Sequence, residues 1–341
     1  MEITIRRASF PQDYTEIARV LIAESPEWAP TVEELARQDA IRDPQLHRAV
    51  FVAEDHSLES RPVVGRASVG HDQLAHREGK FNMDIRVHPD VQGQGIGSLL
   101  YQEILRHLQH FEPYELHTDV WSGHSRAIQF VTGRGFVEAW RRLDLELDVS
   151  HFDFTPYMDL EERVRANGVE IQTFAELLSK RGRTETIEKL YEVDRQLWRD
   201  IPYGEGEELS PRSLVQFVQS EIESPRFIPE ACFIALHKHD GAFVGYSSLS
   251  DVGKYFVIEM TGVLPAYRGK GIAMLLKLHG IRYAQAHGNR AITTTNDSPN
   301  EAMLALNDRL GFQRQGATIR FVSFRTPQTI SLGALAETNE S

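Results

Sequence analysis

A short glycine-rich segment occurs twice in this chain of 341 residues, and the repeat constrains the fold more than any other feature. The first copy reads Gln-Gly-Gln-Gly-Ile-Gly at residues 92–97, and the second reads Arg-Gly-Lys-Gly-Ile-Ala at residues 268–273. Each copy follows a β-rich run that ends in Val-x-Pro, opens an apolar helix, and precedes by 44 positions the Phe of a Gly-Phe pair. The offset of 176 residues is about one domain length and too long for a solenoid repeat, so the sequence predicts two copies of one domain.

The chemistry of this loop suits a diphosphate. Closely spaced glycines let the backbone turn sharply and approach a ligand. The first N–H groups of the following helix have no intrahelical partner, and the positive end of the helix dipole attracts an anion. A dinucleotide-binding loop would read G-x-G-x-x-G, and a P-loop would need Gly-Lys-Ser or Gly-Lys-Thr. The spacing here is G-x-G-x-G and G-x-G-x-A, which fits neither class.

The whole pattern resembles the GCN5-related N-acetyltransferases, the GNAT superfamily. It reads Val-x-Pro-x-x-[Gln/Arg]-x-x-Gly-x-[Gly/Ala], then an amphipathic helix, a strand, a second helix and Gly-Phe. Two copies in one chain resemble the tandem members of that family, the group to which mycothiol synthase belongs. The resemblance implies an α/β fold with two GNAT-like domains at 1–148 and 168–326, joined by a linker at 149–167 and followed by a tail at 327–341. Each domain is expected to be a mixed, splayed sheet flanked by helices.

The resemblance also implies acetyl-CoA as cosubstrate. In the family, the loop binds the pyrophosphate, the pantetheine arm enters a split in the sheet, and a backbone N–H at the end of the preceding strand meets the thioester carbonyl. In the second copy these contacts are expected at Val263, Arg268, Gly269, Lys270, Gly271, Ile272, Ala273, Asn296, Asn300 and Asn307. In the first copy they are expected at Val87, Gln92, Gly93, Gln94, Gly95, Ile96 and Gly97. Capping of the last helix accounts for the presence of Asn296 and Asn300 equally well. Exposure to solvent is the alternative explanation for Arg268 and Lys270.

Acetyl transfer to an amine needs a base, and Glu259 is the candidate. It lies in the otherwise apolar strand before the second loop, where burial of a carboxylate raises its pKa. An outward-facing or ion-paired strand residue is the structural alternative. Met83 stands at the matching place in the first copy. Asp84 is one residue away and is expected to face the other side of the sheet.

The family's usual general acid is absent from both copies. A tyrosine normally stands five residues before the Phe of Gly-Phe, but this chain has Val131 and Asn307 there. Valine cannot donate a proton, and an amide donates hydrogen bonds without acting as an acid. Either water or another tyrosine must therefore protonate the thiolate. The candidates in the second half are Tyr203, Tyr246, Tyr255 and Tyr267.

Composition excludes several classes of partner. A net charge of −12 and a pI near 5.6 argue against a nucleic-acid footprint. No apolar run is long enough to cross a membrane, no signal core follows Met1, and the single cysteine, Cys232, excludes an intrachain disulfide. A cytoplasmic protein is therefore expected. The 14 histidines show no metal-ligand spacing, so no metal is expected. The oligomeric state is not set by these features.

Two classes of function are compatible with the sequence. The first is an acetyl-CoA-dependent N-acetyltransferase that modifies a primary amine of a small molecule or peptide, with the C-terminal domain as the main active site. The N-terminal domain is then a second active site or a degenerate one that binds CoA. The second class is a noncatalytic acyl-CoA-binding or scaffold protein, suggested by the missing tyrosines. Glu259 and the fuller second motif favour the enzyme. Loops such as 72–80 and 200–210 are expected to select the acceptor.

Overall fold

A computed structural model describes residues 1–26, 29–201, 203 and 209–324 of the chain. Two compact units form: the first contains Met1–Ala139 and the chain from Ile319, and the second contains Trp140–Thr318. The chain passes from the first unit to the second inside strand β6 (Val137–Leu147) and returns inside strand β12 (Gln313–Phe324).

The compact units and the repeats in the sequence therefore have different boundaries. Boundaries at 148, 168 and 326 follow the repeated motif, whereas the units follow which strands and helices pack together. The segment predicted as a linker, 149–167, belongs to the second unit and contains a short 3-10 helix and one α-helix. The tail predicted at 327–341 lies outside the described residues. The motif-based boundaries remain a prediction about the extent of each repeat.

The first unit is a mixed sheet with helices on both faces. Its elements are β1 (Ile3–Arg7), α1 (Tyr14–Glu24), α2 (Val32–Ala40), β2 (Arg48–Asp55), β3 (Val63–Gly70), β4 (Lys80–Val87), α3 (Ile96–Leu108), β5 (Glu115–Trp121) and α4 (Ser125–Thr132). The strand order is β1-β2-β3-β4-β5 with β12 next to β5, and only β4 and β5 pair in parallel among β1 to β5. Strand β2 is buried on both faces: Phe51 packs in the core with α3, and Val52 packs in the core with α1.

The second unit repeats this plan. Its elements after β6 are α5 (Leu160–Ala166), β7 (Val169–Thr173), α6 (Phe174–Arg181), α7 (Arg183–Trp198), α8 (Leu214–Phe217), β8 (Phe227–His237), β9 (Phe243–Asp251), β10 (Phe256–Val263), α9 (Ile272–Ala286), β11 (Ile292–Asp297) and α10 (Glu301–Arg309). A π-helix at Val218–Ile222 continues α8. The strand order is β6-β11-β10-β9-β8-β7. One core lies under α9, and another lies between the opposite face and α6, α7 and α8.

Both sheets split open beside the glycine loop. Strands β4 and β5 pair only from Lys80 to Asn82, and β10 and β11 pair only at Phe256 and Val257. Beyond these pairs the parallel partners separate, although both β4 and β10 continue to the valine that precedes the loop. The expected mixed, splayed sheet flanked by helices is thus confirmed in both units.

A β-bulge in β10 changes how the two repeats correspond. The register jumps from Ile258, opposite Leu249, to Met260, opposite Ser248, so Glu259 is an extra residue. Strand β4 has no such irregularity. The match between Met83 and Glu259 is therefore wrong, because it counted residues back from the loop across the bulge.

The same bulge corrects the expected direction of Asp84. In the register, Asp84 opposite Ser68 corresponds to Met260 opposite Ser248, and both lie on the face covered by the first helices of their unit. Glu259 bonds to Ser250 on that face too. Bulges place two successive side chains on one side of a strand. The expectation that Asp84 and Glu259 face opposite sides is therefore wrong.

Candidate functional site

Each unit has a cavity at the open end of its split sheet. The cavity in the first unit measures about 770 Å³, and the one in the second measures about 480 Å³. The expected contacts that line the first are Val87, Gln92, Gly93, Gly95, Ile96 and Gly97. Those that line the second are Val263, Arg268, Gly269, Gly271, Ile272, Ala273 and Asn300. The structure thus brings most of the expected loop residues together around one space in each unit.

Five predicted site residues do not line either cavity: Gln94, Glu259, Lys270, Asn296 and Asn307. Asn307 is fully buried, and its Nδ2 donates to Asn296 Oδ1 at 2.6 Å. The Lys270 ammonium group lies 5.1 Å from the centre of the Tyr267 ring. A role for these residues in CoA binding stays a prediction. Asn300 lines its cavity and also caps α10, because its Oδ1 accepts from the Met303 N–H.

The glycine loops have the backbone that an anion cradle requires. Gly93 and Gly95 have φ of 82° and 86°, and Gly269 and Gly271 have φ of 75° and 80°, a region that other residues enter only with strain. No atom lies within 4 Å of a Cβ placed on Gly95 or Gly269, so both loops face open space. The first N–H groups of α3 and α9 have no intrahelical acceptor and line this space. Both loops therefore fit a diphosphate.

The second loop differs from the first in one contact. A Cβ placed on Gly271 would lie 2.7 Å from Leu160 Cδ1, since α5 packs on this loop. The corresponding Gly95 has no such neighbour. A side chain at position 271 would therefore disturb packing as well as the cradle, whereas one at Gly269 would act on the cradle alone.

The first residue of each loop holds the loop against the preceding strand. Gln92 Nε2 donates to the Val87 carbonyl at 3.0 Å, and Arg268 Nε donates to the Val263 carbonyl at 2.9 Å. Arg268 also pairs with Asp200 at 2.5 Å. These bonds give Arg268 a structural role that neither a phosphate contact nor a solvated face predicts.

The strand ends direct backbone donors into the splits. The N–H of His88 bonds to the Val64 carbonyl, and the N–H of Leu264 bonds to the Val244 carbonyl. Successive N–H groups of a strand point to opposite sides, so the N–H groups of Val87 and Val263 point away from their antiparallel partners and toward the splits. This supports the oxyanion-hole role expected of both valines.

Glu259 is an exposed residue of β10, and the pKa of its carboxyl group is raised above the usual value. Its Oε1 accepts a hydrogen bond from Ser250 Oγ at 2.5 Å. The crowded surroundings of the carboxyl group, with the nearby charge of Glu221, raise the pKa of Glu259, and the Ser250 bond and Arg226 only partly oppose this. The next residue, Met260, lines the second cavity. A perturbed carboxylate beside a ligand-shaped cavity is typical of a catalytic position.

We expect Glu221→Gln to lower the pKa of Glu259, because it removes a like charge. The Glu221 side chain lies on the π-helix and pairs with Arg212 at 2.7 Å. Loss of its negative charge favours ionised Glu259. Carboxyl NMR titration measures the shift. Glu223→Gln in the same segment is the control, and equal pKa values in both variants would contradict this account.

Five ionisable side chains whose connection sequence reasoning missed form a row beside the first cavity, and all of them except Arg66 line it. Asp84 accepts from Arg66 Nη1 at 2.6 Å and from Arg86 Nε at 2.7 Å. Arg86 Nη1 donates to Glu24 at 2.9 Å, and Glu24 Oε1 lies 3.6 Å from His124 Nδ1. We call these five residues the polar row. Burial acts to raise the pKa of Asp84, but the two guanidinium groups outweigh it and the pKa is lowered. No local pattern marks the row, since it joins α1, β3, β4 and the start of α4.

The structure separates the tyrosines proposed as acids. Tyr246 is buried and donates to Asp194 at 2.6 Å, and burial raises its pKa well above the usual value. Tyr203 and Tyr255 are buried too. Among these four, only Tyr267 lines the second cavity, and it lies at the loop end. The choice between water and a tyrosine as the proton donor stays open at this point.

Within the described residues, no group of three or more His, Cys, Asp or Glu side chains is arranged to hold a metal ion. No helix in that part of the chain is long and apolar enough to cross a membrane. Cys232 is buried, and burial raises the pKa of its thiol, so it is a core residue and not a nucleophile.

Comparison with known proteins agrees with this geometry. The model of the acetyltransferase (GNAT) family matches residues 189–312, and that of an acetyltransferase (GNAT) domain matches residues 46–138, together more than half of the chain. Mycothiol acetyltransferase of Renibacterium salmoninarum is 26% identical over 281 residues, which cover 76% of this chain and 73% of the relative. The enzyme of the same name from Frankia casuarinae is 23% identical over 278 residues, with the same coverage of both chains.

A solved structure shares the whole architecture. A tandem GNAT protein from the clavulanic acid biosynthesis pathway superimposes with a TM-score of 0.69 at 18% identity, covering 95% of this chain and 98% of that one. At this identity the likeness shows the fold alone. The family matches fall one in each compact unit, on the strands and loops that form the two cavities. The chain is therefore a tandem N-acetyltransferase of the GNAT family.

Proposed function

We propose that the protein transfers an acetyl group from acetyl-CoA to a primary amine of a small molecule or peptide, and that the second unit holds the main active site. One observation supports the assignment to the second unit: Glu259, whose pKa is raised, is the extra residue of a β-bulge and directly precedes Met260, which lines the cavity. The names of the two relatives support a small-molecule acceptor. A cytoplasmic location, where acetyl-CoA is available, is part of the proposal.

Different residues of the second unit bind the acetyl donor, stabilise the charge that develops on its carbonyl oxygen and accept the proton of the amine. Bound acetyl-CoA supplies an acetyl group activated as a thioester. The N–H groups of residues 269–273 hold its diphosphate, and the Val263 N–H donates to the carbonyl oxygen that gains negative charge during attack. Glu259 accepts the proton of the amine, directly or through one water molecule, so that the nitrogen attacks in its neutral form.

The acceptor is expected to approach from the face that Glu259 shares with the π-helix. Glu221 on that helix adds negative charge near Glu259, which favours a cationic amine over an anionic compound. In the loop 200–210, residues 202 and 204–208 lie outside the described residues, so its role in acceptor selection stays a prediction. Residues 72–80 do not line the first cavity.

A thiol-release assay with a panel of amines tests the proposed function. The panel contains small amines, aminoglycosides, amino acids and peptides, each with a matched N-blocked form that lacks the free amine. We expect thiol release that depends on a free amine, with the added acetyl group found on nitrogen by mass spectrometry. Acetyl recovered on oxygen or sulfur, or equal turnover of free and blocked compounds, would contradict it.

A further inference from the structure

The polar row is particular to the first unit. The second unit repeats the same sheet, and the places of Arg66 and Arg86 hold Tyr246 and Gly262 in the strand register. There Tyr246 donates to Asp194, so a different polar contact occupies this face. Only the row of the first unit leads through Glu24 to a histidine that lines a cavity, and this histidine is the observation that points to chemistry.

His124 ends the row with the geometry of an oriented base. It is the N-cap residue of α4, yet its side chain makes no capping bond. Instead the ring packs edge-on against Trp121 at 5.3 Å and turns Nδ1 toward Glu24 Oε1. Both carboxylate oxygens of Glu24 accept from Arg86 Nη1, at 3.1 and 2.9 Å, so the carboxylate is fixed in place.

This arrangement is a base oriented by a carboxylate, as in nucleophile-activating triads. With a proton on Nδ1 facing Glu24, the lone pair of His124 Nε2 is free to accept a proton. The 3.6 Å separation is longer than a hydrogen bond, as is common for catalytic pairs without substrate. The His124 side chain is 37% exposed and lines the cavity, so an acceptor can reach it.

The same cavity has the features that binding of an acyl-CoA donor requires. The loop at residues 93–97 faces open space, and the Val87 N–H points toward the split. Arg126 Nη1 lies 3.8 Å from a Cβ placed on Gly93, so a guanidinium group stands beside the loop where phosphate charge would gather. The corresponding position in the second unit is Ala302. The cavity therefore contains a donor cradle, an oxyanion donor and a base.

We propose that the first unit is a second acetyl-transfer site, in which His124, positioned by Glu24, is the base for a primary amine acceptor. A C–N bond forms between the amine nitrogen and the acetyl carbon as the C–S bond of the thioester breaks. His124 Nε2 takes the proton from nitrogen and returns it to the departing sulfur, so the products are an amide and free CoA thiol. This site does not use Glu259. An experiment can therefore contradict it without contradicting the function proposed for the second unit, and the reverse is also true.

The experiment abolishes acetyl-CoA binding by one glycine loop at a time in the full chain. Gly269→Val disables the second loop and Gly93→Val disables the first, and both positions have positive φ. We expect amine-dependent thiol release to persist in Gly269→Val and to vanish in the double variant. If valine impairs folding, judged by circular dichroism, alanine at the same positions gives a milder strain at the same φ.

The base is then tested in the Gly269→Val background. His124→Gln is expected to lower the remaining kcat about 100-fold or more with acetyl-CoA affinity in the first unit unchanged, the scale of general-base loss. Glu24→Gln should lower kcat with the KM for acetyl-CoA unchanged, because the imidazole loses the carboxylate that orients it. His110→Gln, an exposed histidine outside the cavity lining, should leave the rate unchanged.

The outcomes separate the two proposals. Loss of all turnover in Gly269→Val, while calorimetry still shows acetyl-CoA in the first unit, would overturn the second site and leave the proposed function intact. An unchanged rate in His124→Gln would overturn the role of the histidine. Loss of all turnover in Gly93→Val alone would keep the second site and overturn the assignment of the main site to the second unit.

Discussion

Replacement of Glu259 by glutamine is expected to lower kcat of the second unit about 100-fold or more, with acetyl-CoA affinity close to that of the wild type. The amide keeps the shape of the side chain and can still meet Ser250, but it cannot accept the amine proton. Part of the lost rate should return at high pH, where the amine is already neutral. The Gly93→Val background is used for the measurement, so that the first unit does not contribute.

The pH profile distinguishes a base from a structural residue. A strand residue with no chemical role would change the rate equally at every pH, whereas a missing base is compensated as the amine deprotonates. Glu230→Gln, the same substitution at an exposed strand position outside the cavity lining, is the matched control. Wild-type turnover across pH in folded Glu259→Gln would show that water or another group is the base.

Substitution of Gly269 by valine is expected to remove acetyl-CoA binding from the second unit. Valine is strained at a φ of 75°, so the loop must rearrange and its N–H groups leave the cradle. Each hydrogen bond to a charged group contributes about 1.5–3 kcal/mol, so loss of two such bonds weakens binding about 100-fold or more. Calorimetry should show two sites per chain in the wild type and one in the variant.

Gly269 is a sharper probe than Gly271 because of the Leu160 contact. A side chain at Gly271 would also displace α5, so lost binding could reflect disturbed packing. Gly253→Val is the matched control: its φ is 85° and no atom lies within 4 Å of an added Cβ, but it lies in the turn before β10, away from the cavity lining. Two intact sites in folded Gly269→Val would show that the loop does not bind the diphosphate.

The sequence alone was sufficient to predict the repeated domain and the glycine loops, whereas the split sheets followed from the family resemblance. The repeat and the loops depend on local requirements: a positive φ that glycine meets, a helix that starts at the loop, and a strand that ends in Val-x-Pro. Such requirements leave the same residues in the same order in both copies. The positions of Gly95 and Gly271 as N-caps of α3 and α9 follow directly from this pattern.

The tertiary structure decided which side chains meet. The one-residue bulge at Glu259 leaves no mark in the spacing, and it alone changed the match to Met83 and the face assigned to Asp84. The polar row could not be predicted from the sequence, because Glu24 and His124 are 100 positions apart in the chain. Likewise, the chain passes from one compact unit to the other inside β6 and inside β12, and no sequence motif ends at either place. Backbone conformation is set by neighbouring residues and can be read locally, whereas a side chain's partner and pKa depend on strands and helices that only folding brings together.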